Sequence, residues 1–282
     1  MNLENVNLEL FFVTEVLKLQ SLHYGYWAEP ARASHDVLNL TDIKEAQASY
    51  TKELLAVLPA DVKSVLDVGC GIGDNARAML ERGLQVTALS PDANHKRYFE
   101  KFSGQDLSFH SSTFEDFNST GVFDLILMSE SQNYFEADTG LKQARRYLRP
   151  GGYLLIAGMF RKGDSADFGA IPNVQEDYLE KAARNGFTLL RTRDITAHVL
   201  PTIEIVNATR LAHLEPAWDL AKRYLRVSMP LKLKLLQFLF RKQIKELSEF
   251  ASYYRRRTDP ALFATQVEYL ILLFQAKPPS TK

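Results

Sequence analysis

Asp67, Gly69, Gly71 and Gly73 are the first residues in this chain whose types and spacing suit chemistry. They fall in the run Val65-Leu66-Asp67-Val68-Gly69-Cys70-Gly71-Ile72-Gly73. The apolar stretch Ser64–Asp67 predicts a buried strand that delivers Asp67 to a sheet edge. The glycines then let the chain turn tightly and bring bare backbone close to a ligand. A carboxylate two residues before the first glycine can meet the ammonium of an amino acid-like ligand. The spacing is Gly-x-Gly-x-Gly, and the second strand ends in Ser90. Both features differ from a nicotinamide-dinucleotide loop, which uses Gly-x-Gly-x-x-Gly and an acid after the next strand.

Three further places can do chemistry. Glu130, in Ser129-Glu130-Ser131, follows the strongly apolar run Phe123–Ser129 and is expected at the ligand-facing edge. It can stabilise positive charge or accept a proton; alternatively it caps or pairs. Tyr134 is expected near the same pocket, or packed on the following helix. His198 has the side chain whose ordinary pKa suits a general base, although a single histidine with no visible partner is more often structural. The aromatic run His23-Tyr24-Gly25-Tyr26-Trp27 either lids a pocket or pins the N-terminal helix.

The elements that must position these residues follow from periodicity. Apolar side chains at near-helical spacing predict a helix over 3–20, and a second over 42–57 with Thr41 as its N-cap. Strands are expected at 64–67, 85–89, 107–110, 123–129, 153–157 and 187–191. Helices are expected at 74–82, 92–102, 138–148 and 174–185, and a turn at 149–152. Strands alternating with helices of this length imply an α/β fold with a mostly parallel sheet. Residues 195–262 read as a helical cap inserted before a last strand in 263–275. The expected organisation is therefore an N-terminal helical segment (1–58), an α/β core (59–194), the cap (195–262), and a last strand with tail (263–282).

The segment VLDVGCGIGD resembles motif I of class I S-adenosylmethionine methyltransferases. The resemblance continues in order through VTALSPD, FDLILMSES and LRPGGYLLI, and covers roughly residues 54–195. It implies a Rossmann-like, seven-stranded sheet and S-adenosyl-L-methionine as cofactor. It also implies that Asp67, Gly69 and Gly71 hold the methionine part, with Gly73 completing the loop. Ser90 stands where the ribose-binding acid usually is, and Phe114 near the adenine. Ser-Pro after the second strand and Glu-Ser after the fourth resemble the branch with sterol and tocopherol methyltransferases and cyclopropane fatty acid synthases. That branch implies Tyr24 at the cofactor carboxylate, Ser129 beside the cofactor, and Glu130 facing the substrate. Residues 194–202 resemble a substrate-pocket wall of the same branch, which would include His198. The expected acceptor is a hydrophobic small molecule (terpenoid, quinone-like or lipid), with Glu130 tipping the choice toward carbon over nitrogen or oxygen. Rival readings are a cofactor-binding enzyme that cyclises or cyclopropanates, and a membrane-associated, non-catalytic binding protein.

Composition narrows the classes. Thirty-four basic and thirty-four acidic residues give a formal charge of zero, which argues against a nucleic-acid partner. One cysteine, Cys70, excludes an intramolecular disulfide and fits a reducing compartment. The N-terminus lacks a basic signal-like region, so a cytoplasmic location is expected. No His/Cys/Asp cluster has metal-ligand spacing, so no metal is expected. The cap is locally basic: no acid occurs from Leu220 to Lys245, and leucines and phenylalanines interleave with the lysines and arginines. It reads as a lid first and a peripheral membrane contact second. Oligomeric state is left open.

Overall fold

In a computed structural model, residues 8–30, 39–102, 104, 106–163, 165 and 168–278 are described. The expected first helix falls partly outside this set. Its described part is α1 (Leu8–Phe11), prolonged by a wider π turn (Phe12–Val16), which stops short of residue 20. Helix α2 (Leu40–Leu55) starts two residues before the expected Asp42. Its cap is Asn39, whose side chain accepts from the Thr41 N–H, so Thr41 is the capped residue and not the cap.

The core then alternates as β1 (Ser64–Val68), α3 (Asp74–Glu81), β2 (Gln85–Ser90), α4 (Lys96–Phe99), β3 (Leu107–Ser111), β4 (Phe123–Ser129), α5 (Ala137–Tyr147), β5 (Leu148–Arg161), α6 (Gln175–Arg184) and β6 (Phe187–Asp194). Short 3-10 turns flank α4 on both sides, so the expected helix 92–102 is broken into three pieces. The expected turn at 149–152 is a register irregularity within β5. Phe123 pairs with Leu148 and Leu125 with Tyr153, and Gly151 supplies the left-handed backbone at φ +73°. The cap follows as α7 (Thr196–Thr209), α8 (Glu215–Ser228), α9 (Pro230–Leu239), α10 (Arg241–Arg257) and α11 (Pro260–Gln266). The last strand, β7 (Val267–Ala276), begins four residues later than expected. Asp259 caps α11 and Pro260 opens it, which carries Phe263–Gln266 into the helix.

The seven strands form one sheet in the order β3-β2-β1-β4-β5-β7-β6, and only β7 runs antiparallel to its neighbours. This is the Rossmann-like, mostly parallel sheet expected from the sequence. β1, β4 and β7 are buried on both faces, which explains their near-continuous apolar sequences. Alternate residues feed two cores. Val65, Leu125, Leu155 and Ile271 pack under Tyr50, Leu54, Met79 and Ile203 on one face. Leu66, Ile126, Leu154 and Leu272 pack under Leu141, Ala144 and Tyr178 on the other. β1 lies between β2 and β4, so the chain's winding reverses there. In an open α/β sheet the ligand crevice lies beyond the carboxyl ends of the strands at such a reversal.

Leu272 is fully buried in β7 between two neighbouring strands. Leu272→Ala is expected to cost about 2–5 kcal/mol. Urea denaturation of the purified variant measures this as a lower midpoint.

Candidate active site

The carboxyl ends of β1 and β4 place the two expected carboxylates at the reversal. Asp67 is 1% exposed on β1. Its Oδ2 is buried and has no hydrogen-bond partner. Burial, with the neighbouring Asp74 carboxylate second, pushes its pKa up to about 8. Gly69, Gly71 and Gly73 follow with φ of +75°, +52° and +88°. At Gly69 a Cβ would come within 2.4 Å of the Ser131 Cβ, so only glycine fits. Ser131 in turn donates from Oγ to the Val68 carbonyl at 2.5 Å, tying the end of β1 to the loop after β4.

Glu130 opens that loop in left-handed backbone, φ +61°. A non-glycine residue there is strained, and such strain concentrates where a side chain must be aimed. Its N–H donates to the Ala157 carbonyl of β5. Its Oε1 accepts from the Tyr24 N–H at 3.2 Å and from the Tyr269 hydroxyl. Burial raises its pKa above the usual carboxylate range, and the His23 charge opposes that rise. A chain of hydroxyls leads away from it: Tyr269 bonds Tyr50 at 2.9 Å, and Tyr50 bonds Ser129 Oγ at 3.1 Å. Burial and the Glu130 charge raise the pKa of both tyrosines, so both are neutral hydroxyls at physiological pH.

A second buried group lies alongside. His23 Nε2 is 2.7 Å from Asp74 Oδ2, and His23 Nδ1 donates to the Tyr24 carbonyl at 2.6 Å. Both ring nitrogens therefore face acceptors, which calls for the doubly protonated imidazolium. Burial opposes that charge; the Asp74 carboxylate outweighs it, raising the His23 pKa while its own falls. The ring stacks on Tyr50 at 4.1 Å between centroids. Asp74 also accepts from Ser21, and Gln47 donates to the Ser21 and His23 carbonyls. The run 21–27 is thus fastened down over the ends of β1 and β4. From the cap, Arg257 hydrogen-bonds Tyr24 and packs on the Tyr253 ring.

The other expected residues lie in different settings. Tyr24 is half-buried in the cluster, edge-on to Tyr269. Ser129 joins through its bond to Tyr50. Ser90 is buried at the end of β2, where its Oγ bonds His95 Nδ1 at 2.8 Å and accepts from the Asp92 N–H. Phe114 is 3% exposed and packs against Phe135 in the core. Tyr134 is 84% exposed and is not gathered into the buried cluster. His198 clasps the run 21–27 onto α7: it stacks on Tyr26 at 4.3 Å and its Nδ1 donates to the Trp27 carbonyl at 2.7 Å. Sequence reasoning passed over Asp74, Tyr50, Tyr269 and Arg257, and took His23 only as part of the aromatic run. Asp74 directly follows Gly73, and that adjacency was the available signal.

A family model described as a methyltransferase domain matches residues 42–200. The methyltransferase GfsG of Streptomyces halstedii is 25% identical over 209 residues, covering 64% of this chain and 71% of that protein. Among solved structures, the (4+2)-cyclase SpnF superposes with a TM-score of 0.69 at 18% identity, covering 96% of both chains. Geranyl diphosphate methyltransferase in complex with GPP and sinefungin superposes at 0.65 and 16% identity, covering 96% of this chain and 94% of the other. With more than half of its length matched, the chain belongs to the methyltransferase-domain family and is an S-adenosylmethionine-dependent methyltransferase. Membership removes the reading as a non-catalytic binding protein. Among the described residues, no helix is long and apolar enough to cross a membrane.

The His23–Asp74 pair carries a pH signature. A raised histidine pKa stabilises the fold fully below about 6.5, its ordinary value, and that contribution is lost as pH rises through the folded-state value. The urea midpoint is expected to decline as pH rises from 6.5 into the alkaline range. His23→Gln is expected to remove the His23 share of this slope, leaving below about pH 8 the decline that the raised Asp67 carboxyl contributes, and to cost about 3–5 kcal/mol near pH 6.5, because Asp74 is left buried and unpaired. A slope as steep in the variant as in the wild type would show that His23 does not contribute.

Proposed function

We propose that the crevice at the ends of β1 and β4 binds S-adenosyl-L-methionine through Asp67, Gly69, Gly71 and Gly73. Tyr24, Ser90, Phe114 and Ser129 border that site, and the enzyme methylates a hydrophobic small molecule. The observation that carries the reading is the buried Asp67 carboxyl with its unpartnered Oδ2 at the sheet's reversal point. Such a group is costly to bury alone, and an aminoacyl ammonium is the partner that removes the cost. The three left-handed glycines keep Cβ atoms out of the same space. The residues present therefore fit the cofactor.

When bound, the cofactor supplies an electrophilic methyl group on a sulfonium. The chain's own part is binding, orientation and water exclusion. Orientation alone contributes roughly 7–11 kcal/mol when the geometry is near attack. The run 21–27 forms a roof that keeps water out. Tyr24 offers an aromatic face to positive charge. Glu130, fixed by Tyr24 and Tyr269, holds a carboxylate at the substrate side. There it stabilises cationic character on an attacking carbon or takes the proton that the methylated carbon sheds. A carboxylate buried among hydroxyls suits a carbon acceptor, and an apolar terpenoid, quinone-like or lipid acceptor suits the aromatic surroundings. The likeness in fold to geranyl diphosphate methyltransferase in complex with GPP supports an apolar acceptor.

The reading has a proton-linked consequence. Asp67 must ionise to meet an ammonium, so binding releases its proton. Cofactor affinity measured by calorimetry is expected to tighten about tenfold per pH unit from about pH 6 to 7 and to level off near pH 8. Asp67→Asn is expected to bind weakly with no such slope. An unchanged affinity in this variant would refute the site.

Glu130→Gln is expected to keep cofactor affinity and lose about 10²–10⁴-fold in kcat. NMR of a product made with a carbon-13-labelled methyl donor identifies the acceptor. A carbon-bound methyl is expected. A methyl on oxygen or nitrogen overturns the carbon assignment, and a product of unchanged mass indicates cyclisation.

A further inference from the structure

Helix α8 (Glu215–Ser228) is amphipathic, yet none of its residues is buried. Leu220, Tyr224 and Val227 follow one another at i, i+4 and i+7 and are 69%, 62% and 81% exposed. An amphipathic helix ordinarily hides such a stripe against a core. Here the stripe faces outward, and the chain prolongs it with Leu231 (80% exposed) and Phe238 (71%) in α9.

The charges beside the stripe are one-sided. From Leu220 to Lys245 the sequence holds no acid. The two acids at the start of α8 are already engaged: Glu215 pairs with Arg210 and Arg255, and Asp219 with Lys222. Among the described residues, Arg223, Arg226, Lys232 and Arg241 make no ion pair. The exposed face is therefore apolar along its middle and cationic along its flank, with its acids neutralised from within.

We propose that α8, continued by α9, docks this enzyme on an anionic lipid surface. Leu220, Tyr224 and Val227 enter the boundary between headgroups and acyl chains. Arg223, Arg226 and Lys232 meet the lipid phosphates. Helices of this composition lie in the plane of such an interface, and each basic side chain near an anionic surface adds to the attraction. A second copy of the chain suits the face less well. A two-fold interface would set the same patch against itself, opposing unpaired cations with no acid between them. A polyanion such as nucleic acid would leave the interleaved apolar side chains in water. The proposal is independent of the acceptor assignment above.

Flotation of the full-length protein tests it. Vesicles of phosphatidylcholine alone are compared with vesicles of equal parts phosphatidylcholine and phosphatidylglycerol. The protein is expected to float with the anionic vesicles, to stay behind with the neutral ones, and to be released by high salt. Arg223→Glu, Arg226→Glu and Lys232→Glu combined are expected to weaken binding about a hundredfold or more. Leu220→Ser, Tyr224→Ser and Val227→Ser combined are also expected to lose flotation. All six residues are exposed and outside the catalytic cluster, so circular dichroism and cofactor affinity should not change. Absence of flotation with anionic vesicles, or equal flotation with neutral ones, would overturn the proposal. So would a dimer in sedimentation velocity that the serine variant dissolves, which would assign the face to a second copy.

Discussion

The site depends on a buried ion pair between His23, on the N-terminal run, and Asp74, at the first turn of α3. These residues are fifty-one positions apart in sequence. Burying either charge alone is costly, so each requires the other. Their pairing brings 21–27 over the crevice. The Tyr24 N–H then lies against Glu130, and the cap closes from the far side through Arg257. Loss of the pair would leave Glu130 without the amide and the positive field that help to hold it.

The three buried carboxyls divide the work by environment. Asp74 is charged and satisfied, so it is structural. Asp67 is raised to about 8 and lacks a partner for one oxygen. Glu130 is raised but doubly hydrogen-bonded at Oε1, so its orientation is set before any substrate arrives. Burial acts on all three. The local donors and charges decide how far each carboxyl's charge is compensated.

The cap differs from the core in what holds it. α7 packs on the sheet through Val199 and Ile203, and α11 through Phe263. Between them, α8 contributes nothing to a core.

The sequence by itself determined the order and type of the core elements, the glycine loop, Asp67 and the position of Glu130. These are local facts: hydrophobic period, a carboxylate two residues before a glycine, an apolar strand ending in Glu-Ser. Its errors were at boundaries, such as Asn39 in place of Thr41, and the strand start that Pro260 displaced to Val267. Tertiary structure alone decided the rest. No periodicity announces that His23 meets Asp74, that Tyr50 and Tyr269 chain Ser129 to Glu130, that His198 is a clasp, or that Tyr134 faces water. Those assignments depend on which distant segments fold against one another, and a buried polar group takes whichever partner that packing brings within hydrogen-bonding distance.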